Sequence, residues 1–228
     1  MRSRTPVKRI ILTRIQDYLP RILGLLYGLK NKSPVDPSQE QEVHEYRHLI
    51  RKSLPSAPAA EVRPDDTAIL LYTGGTTGVS KGAVLTHRNL SVNVRQTRSW
   101  LWSIQEREEI FLCVLPFFHS YGMTTALHLS TLTQSTMLLA PRFELADVVK
   151  QIKKHHPTIF CAVPSMYNAI NRYPGISDSD VASIRLCISG GAALPAAVQE
   201  KFEALTGGKL VEGYGLSETS PVALVNPT

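Results

Sequence analysis

The sequence predicts an α/β fold of layered, largely parallel sheets flanked by helices, and three observations carry that prediction. Apolar runs of strand length recur at 67–73 (TAILLYT), 109–116 (EIFLCVLP), 157–164 (PTIFCAVP), 184–190 (IRLCISG) and 209–215 (KLVEGYG). Between them lie helix-period patterns, HRNLSVNVRQTRSWL, ELADVVKQIKKHH and PAAVQEKFEALTGG. Short apolar runs alternating with helices read as strands buried on both faces and joined by crossovers. Third, several runs end in glycine: Thr73-Gly74, Ser189-Gly190-Gly191 and Gly213-Tyr214-Gly215. Parallel α/β sheets bind ligands at the carboxyl ends of their strands, so these turns are expected to line one crevice with backbone N–H groups.

Taken in order, the chain opens on a basic segment. Residues 1–32 carry eight Lys and Arg against the single acid Asp17, a balance of +7 that leaves the rest of the chain at −1. A nucleic-acid-binding surface is therefore not expected, because the charge is confined to one end. Within that end, YLPRILGLLYGLK (18–30) is too short, and too interrupted by Pro20 and Arg21, to span a bilayer. No small-residue cleavage site follows it. Two readings stand: a core-packing helix with a solvated basic rim, or a helix resting on anionic lipid, each nearby Lys or Arg contributing ~1 kcal/mol. QEQEVHEYRHLIRK reads as a further helix, and the Pro/Ala-rich SLPSAPAAEVRPDD (53–66) as a loop or linker. The division expected is a basic, membrane-facing segment over 1–60 and an α/β part over 61–228. The helix after Pro195 stops at Gly207-Gly208, a matched start and stop. Cys113, Cys161 and Cys187 each lie inside an apolar run with no metal-ligand spacing, and read as buried free thiols in a reducing cytosol. Trp100 and Trp102 read as packing residues.

The stretch YTGGTTGVSKG (72–82) carries the most chemistry. Gly74, Gly75 and Gly78 let the backbone turn and approach an anion without a Cβ in the way. Thr73, Thr76, Thr77 and Ser80 supply hydroxyls, and Lys81 a compact positive charge. Together they form a nest suited to a polyphosphate, although the Walker A spacing is not met. A plain Gly/Thr turn is the bland alternative. A Ser-dependent amidase loop is disfavoured, because Thr76 and Thr77 hold the central positions and no second Ser-rich loop accompanies them.

The loop resembles the phosphate-loop signature of the adenylate-forming enzymes: acyl-CoA synthetases, peptide-synthetase adenylation domains and luciferases. Three further motifs follow in that superfamily's order: LPFFHSYGM (115–123), like its aromatic-His segment, SGGAALP (189–195), like its adenine-side loop, and GYGLSETSPV (213–222), like its Tyr-Gly-x-Thr-Glu motif. IILTRIQDYLP, THRNL, PFFHSYGMT and the GGAALP to AVQEKFE stretch look most like bacterial long-chain fatty acid–CoA ligases. The resemblance covers essentially the whole chain and is strongest from Asp65 to Pro227.

The resemblance implies an enzyme that uses ATP, Mg²⁺ and coenzyme A to activate a fatty acid. Thr73, Gly74, Gly75, Thr76, Thr77, Gly78 and Lys81 would cradle the β- and γ-phosphates, with Thr76 helping to hold Mg²⁺. Gly191 and Ala192 would border the adenine, Tyr214 would stack on it, and Gly215 would belong to the same cofactor-binding set. Ser217, where the family usually has Thr, would meet the α-phosphate. Glu218 would ligate Mg²⁺, and His119 would stand near the mouth of the acyl tunnel. Each has a plainer reading: Glu218 as a first-turn helix acid, His119 as a strand-end His satisfied by backbone, Tyr214 as a core aromatic. Lys81, Glu218 and His119 are the expected catalytic residues.

The family's ribose-binding Thr-Gly-Asp motif, its hinge and its small C-terminal domain have no counterpart in these residues. The expectation is a central part of the large nucleotide-binding domain that alone binds ATP weakly and lacks ligase turnover. Its expected setting is cytoplasmic, peripheral at the inner face of an anionic membrane, with oligomerisation left open. Activation of an aryl or amino acid, and a non-catalytic interaction role for a degenerate fragment, are the alternatives.

Overall fold

The computed structural model describes residues 6–31, 42–53, 55–56, 60–73 and 80–228. They fall into two compact units, 1–61 and 62–228. In the first, β1 (Ile10–Leu12) pairs in parallel with β2 (Val43–Glu45). Arg14 donates to Glu45 at 2.9 Å and to Asp17 at 3.4 Å. Helix α1 (Arg21–Lys30) buries none of its residues within its unit, so the core-packing reading of this segment is not met there. Ile22 and Leu29 are 76% and 68% exposed. Helix α2 (Tyr46–Lys52) closes the unit. Among the described residues no helix is long and apolar enough to cross a membrane.

The second unit begins with a hairpin. β3 (Thr67–Thr73) pairs antiparallel with β4 (Lys81–Thr86), placing Thr73 opposite Lys81. The sequence expectation put TAILLYT in the parallel sheet; it forms a separate two-stranded ribbon instead. The residues between β3 and β4 are too few for a parallel crossover, which needs a dozen or more. Burial alternates accordingly: Leu71 and Leu85 face inward onto Met123, while Leu70, Tyr72 and Val84 face out. Thr86 then caps helix α3 (His87–Trp100) in a reciprocal box with Asn89.

Six strands form the main sheet, in the order β10-β9-β8-β7-β5-β6. These are β5 (Ile110–Cys113), β6 (Thr136–Leu139), β7 (Ile159–Ala162), β8 (Leu186–Ser189), β9 (Lys209–Gly215) and β10 (Val222–Val225). The first five run parallel, and β10 returns antiparallel on β9. β7 and β8 are buried at every residue, as continuous apolar runs require. From β5 the chain enters a helical run: α4 (Ser120–Gly122), a π-helical stretch (Met123–His128) and α5 (Leu129–Leu132). Helices α6 (Leu145–His155), α7 (Pro164–Asn171), α8 (Asp178–Val181) and α9 (Ala196–Thr206) complete the connections. Helix α9 ends at Gly207 with φ +71°, the left-handed stop expected of glycine. The core centres on Phe160, Tyr167 and Phe202, whose rings meet edge to face at 5.3 and 4.9 Å.

The chain leaves β5 for β6 on one side and comes back to β7 on the other, so the strand order reverses at β5. Ligand crevices in open α/β sheets form outside the carboxyl ends of strands at such a reversal. The turns after β5, β8 and β9 therefore define where the site should lie.

Candidate functional site

A cavity of about 260 Å³ opens there. His119, Ser120 and Tyr121 line it after β5, Gly190 and Gly191 after β8, and Gly213, Tyr214, Gly215 and Ser217 at the end of β9. A second, more open hollow adjoins it, lined by Thr73 and by His119, Ser120 and Ser217 again. Five of the residues singled out from sequence, His119, Gly191, Tyr214, Gly215 and Ser217, thus line one cavity, and Thr73 lines the neighbouring space.

Lys81, Ala192 and Glu218 line neither space. Lys81 is exposed and lies across the hairpin from Thr73, whose hydroxyl donates to the Lys81 carbonyl at 3.4 Å. Ala192 is exposed just beyond Gly191, and Glu218 is exposed on the tight turn Ser217–Thr219. Gly74, Gly75, Thr76, Thr77 and Gly78 lie outside the described residues.

Local chemistry fixes each wall. His119 accepts a bond from the Tyr121 backbone N–H at 3.3 Å through Nδ1, so its plainer reading as a backbone-satisfied strand-end His also holds. The turn after β9 folds back so closely that a Cβ at Gly215 would lie 2.0 Å from the Pro221 carbonyl oxygen, a position only glycine tolerates. Leu216 N–H donates to that same carbonyl at 3.1 Å. Tyr214 is 59% exposed, which removes the core-aromatic reading. Trp100 and Trp102, expected as packing residues, are 52% and 72% exposed; Trp100 Nε1 reaches the Asn226 carbonyl at 3.4 Å.

Several residues that hold the walls escape sequence reading. Buried Asn93 on α3 clamps Val222 twice, donating to its carbonyl at 2.7 Å and accepting from its N–H at 3.1 Å. Thr124 donates to the Ser220 carbonyl at 3.1 Å. Glu212 Oε1 accepts from Leu194 N–H at 2.9 Å and so steadies the segment after Gly191. The hydroxyls of Ser120 and Ser217 are 3.4 Å apart and bridge two walls. Tyr121 donates its hydroxyl to the Ile188 carbonyl at 2.7 Å. Each partner is far away in sequence, so no spacing pattern announces the contact.

Beneath the crevice the environment is apolar. Burial pushes the phenols of Tyr121 and Tyr167 well above their usual range. It raises the thiols of Cys113 and Cys161 to about 12, and that of Cys187 well above the ordinary value. These groups are neutral at physiological pH, and all three cysteines are buried and free, as expected from sequence.

The AMP-binding enzyme family model matches residues 12–228. A long-chain-fatty-acid–CoA ligase of Bacillus subtilis is 40% identical over 99% of this chain and 41% of its own length. The crystal structure of a benzoate CoA ligase from Burkholderia xenovorans superposes with a TM-score of 0.73 at 27% identity, covering 91% of this chain and 41% of that one. The ATP-bound crystal structure of MatB from Rhodopseudomonas palustris gives 0.72 at 28% identity, over 79% and 35%. The chain thus spans about two fifths of the length of the curated relatives it matches. The family match over nearly the whole chain and the motif-bearing turns gathered on one cavity agree: this chain belongs to the AMP-binding enzyme family.

Proposed function

We propose that this chain contributes the nucleotide-binding crevice of a long-chain fatty acid–CoA ligase. The observation that carries the reading is the one cavity lined by His119, Gly191, Tyr214, Gly215 and Ser217, with Thr73 on the adjoining hollow. In the reaction proposed, a fatty carboxylate oxygen attacks the α-phosphorus of ATP, and the bond to pyrophosphate breaks as the new P–O bond forms. The thiolate of coenzyme A then attacks the acyl carbon, and AMP leaves.

The residues divide the work. Tyr214 offers its ring to the adenine, while Gly191 and Ala192 border its edge. Ser217 donates to the α-phosphate, and the 73–81 loop with Lys81 neutralises the departing pyrophosphate. The acyl chain has an apolar path in the groove between α3 and β10, which shares Thr97, Val222 and Val225 with the cavity. Charge stabilisation by preorganised donors, rather than covalent help from the protein, is what phosphoryl chemistry requires.

Mg²⁺ fits the donors present. Glu218 is an exposed hard-oxygen donor beside Ser217, and Thr76 in the loop is the second candidate ligand. Among the described residues no group of three or more potential ligands gathers. An ion held mainly by substrate phosphates needs only one or two protein carboxylates. When bound, it neutralises phosphate charge.

The test is ATP binding by this chain, followed by ATP–pyrophosphate exchange in a polypeptide carrying it within the full length of its relatives. Palmitate is expected to support exchange better than benzoate or amino acids. Lys81→Ala or Glu218→Ala is expected to depress it by about 10²–10³-fold. Near-normal exchange in either variant refutes the assignment, and benzoate preference moves the substrate to the aryl class.

A cytoplasmic setting with contact to an anionic membrane is part of the proposal. It is supported by the basic balance of residues 1–32 and the exposed Ile22, Leu25, Leu26 and Leu29 of α1. Salt-sensitive sedimentation with phosphatidylglycerol vesicles is expected; its absence removes this part alone.

A further inference from the structure

We propose that Tyr121 is a positioning residue for the crevice, its phenol setting the height of the 189–191 turn and through it the affinity for a nucleotide base. The inference rests on the nucleotide reading above for its ligand, but not for its geometry.

Tyr121 lines the cavity, yet its hydroxyl is directed away into the sheet. The single O–H donates to the Ile188 carbonyl at 2.7 Å, with a longer approach of 3.2 Å to the Ala162 carbonyl. Ile188 precedes the turn directly, and Ala162 ends the neighbouring strand. The turn lies against the ring as well: a Cβ on Gly190 would sit 3.1 Å from the ring carbon bearing the hydroxyl. Gly190 N–H in turn donates to the Ala162 carbonyl at 3.2 Å. The backbone of Gly190 therefore rests on the phenol so closely that a side chain there would have to displace the ring by a few tenths of an ångström.

The other end of Tyr121 is anchored independently. Its carbonyl accepts from the Thr125 hydroxyl at 2.8 Å, and its N–H donates to His119. Ser120, next to it, meets the Ser217 hydroxyl. The turns after β8 and β9 are thus both referenced to residues 119–121.

Tyr167 supplies an internal control. Its hydroxyl lies 2.7 Å from the same Ile188 carbonyl and 2.8 Å from the Phe160 carbonyl, so the two share its single O–H. It is fully buried and is absent from the cavity wall. Two phenols meet at one carbonyl, and only one of them lines the ligand space. A purely structural role would make their hydroxyls equivalent.

The experiment compares the chain with its Tyr121→Phe and Tyr167→Phe variants by amide hydrogen exchange without ligand and by ATP titration. In Tyr121→Phe, exchange is expected to accelerate at Gly190 and Gly191 while β7 and β8 keep their protection, and the Kd for ATP to rise about tenfold. In Tyr167→Phe, protection is expected to fall across β7 and β8, with the Kd changed less than twofold at a temperature where the chain is folded. Unchanged Gly190 exchange in Tyr121→Phe overturns the proposal, as does an equal rise in Kd in the two variants. Should the unaltered chain bind no ATP, the functional reading fails, and the exchange measurement still decides the part played by Tyr121.

Discussion

The turn after β8 and the hairpin β3–β4 line adjoining hollows of the candidate site, and they differ in what lies beneath them. Under the turn are two fully buried strands, three interlocking aromatic rings and two phenols bonded to one carbonyl. Under the hairpin are Leu71, Leu85 and Met123, with Ile69 and Leu90 partly covered. The turn side is part of the global core, whereas the hairpin side is attached by a small satellite cluster. Local stability follows buried apolar contact, so the hairpin should open at a lower free energy than the sheet.

The largest effect that tests this contrast is a core truncation. Tyr167→Ala is expected to cost ~3–5 kcal/mol, because it empties the space between Phe160 and Phe202 and strips a donor from the Ile188 carbonyl. It should lower the denaturation midpoint for the whole 62–228 unit. Leu85→Ala, at ~2–3 kcal/mol, should instead accelerate hydrogen exchange in β3 and β4 with little change in β7 or β8. Uniform acceleration in both variants would make hairpin and sheet one cooperative body.

Asn93→Ala probes the tie between helix α3 and the far edge of the sheet. Removing both side-chain bonds leaves the Val222 N–H and carbonyl unpaired, a cost of ~1–3 kcal/mol. Exchange should rise at Val222 more than at Gly190, and equal loss at both would show that the β9 and β8 turns are not held separately.

The smallest effect concerns Asp180, remote from both sides of the site. The Ser177 backbone N–H, the Ser177 hydroxyl and Lys153 hold its carboxyl down at about 2. A depressed carboxylate contributes stability above the ordinary Asp range and loses it as pH falls toward 2. The thermal midpoint should therefore exceed that of Asp180→Asn at pH 7, with the gap closing between pH 4 and 2. A gap independent of pH would assign the difference to the α8 cap alone.

The same contrast governs what the sequence reveals. β7 and β8 announce themselves because burial on both faces demands continuous apolar residues. β6 (TMLL) and β10 (VALV) are short apolar runs too, but none of their residues is fully buried, and four apolar residues alone do not mark a strand. β4 is hidden inside the glycine motif, and Pro164, read as the end of a strand, is the first residue of α7. In the site, the residues carried by glycine motifs are legible, since close backbone approach restricts residue type. Tyr121, Asn93 and Glu212 are not, because each bonds to backbone, and backbone looks the same under any side chain.

The Asn93–Val222 clamp also has a consequence for how the chain assembles. Its two partners are 129 residues apart, and every parallel strand of the sheet lies between them in sequence. On a ribosome, β5 and β6 can pair as soon as they emerge, but α3 must wait for nearly all of β7 to β10 before its fastener exists. Fastening of α3 to β10 is thus a late step, with a long-loop entropy cost that grows only slowly with length. During that wait α3 can already pack on β4, the π-helical stretch and α5, so only its side toward β10 stays uncovered, the part a chaperone would shield in a nascent chain.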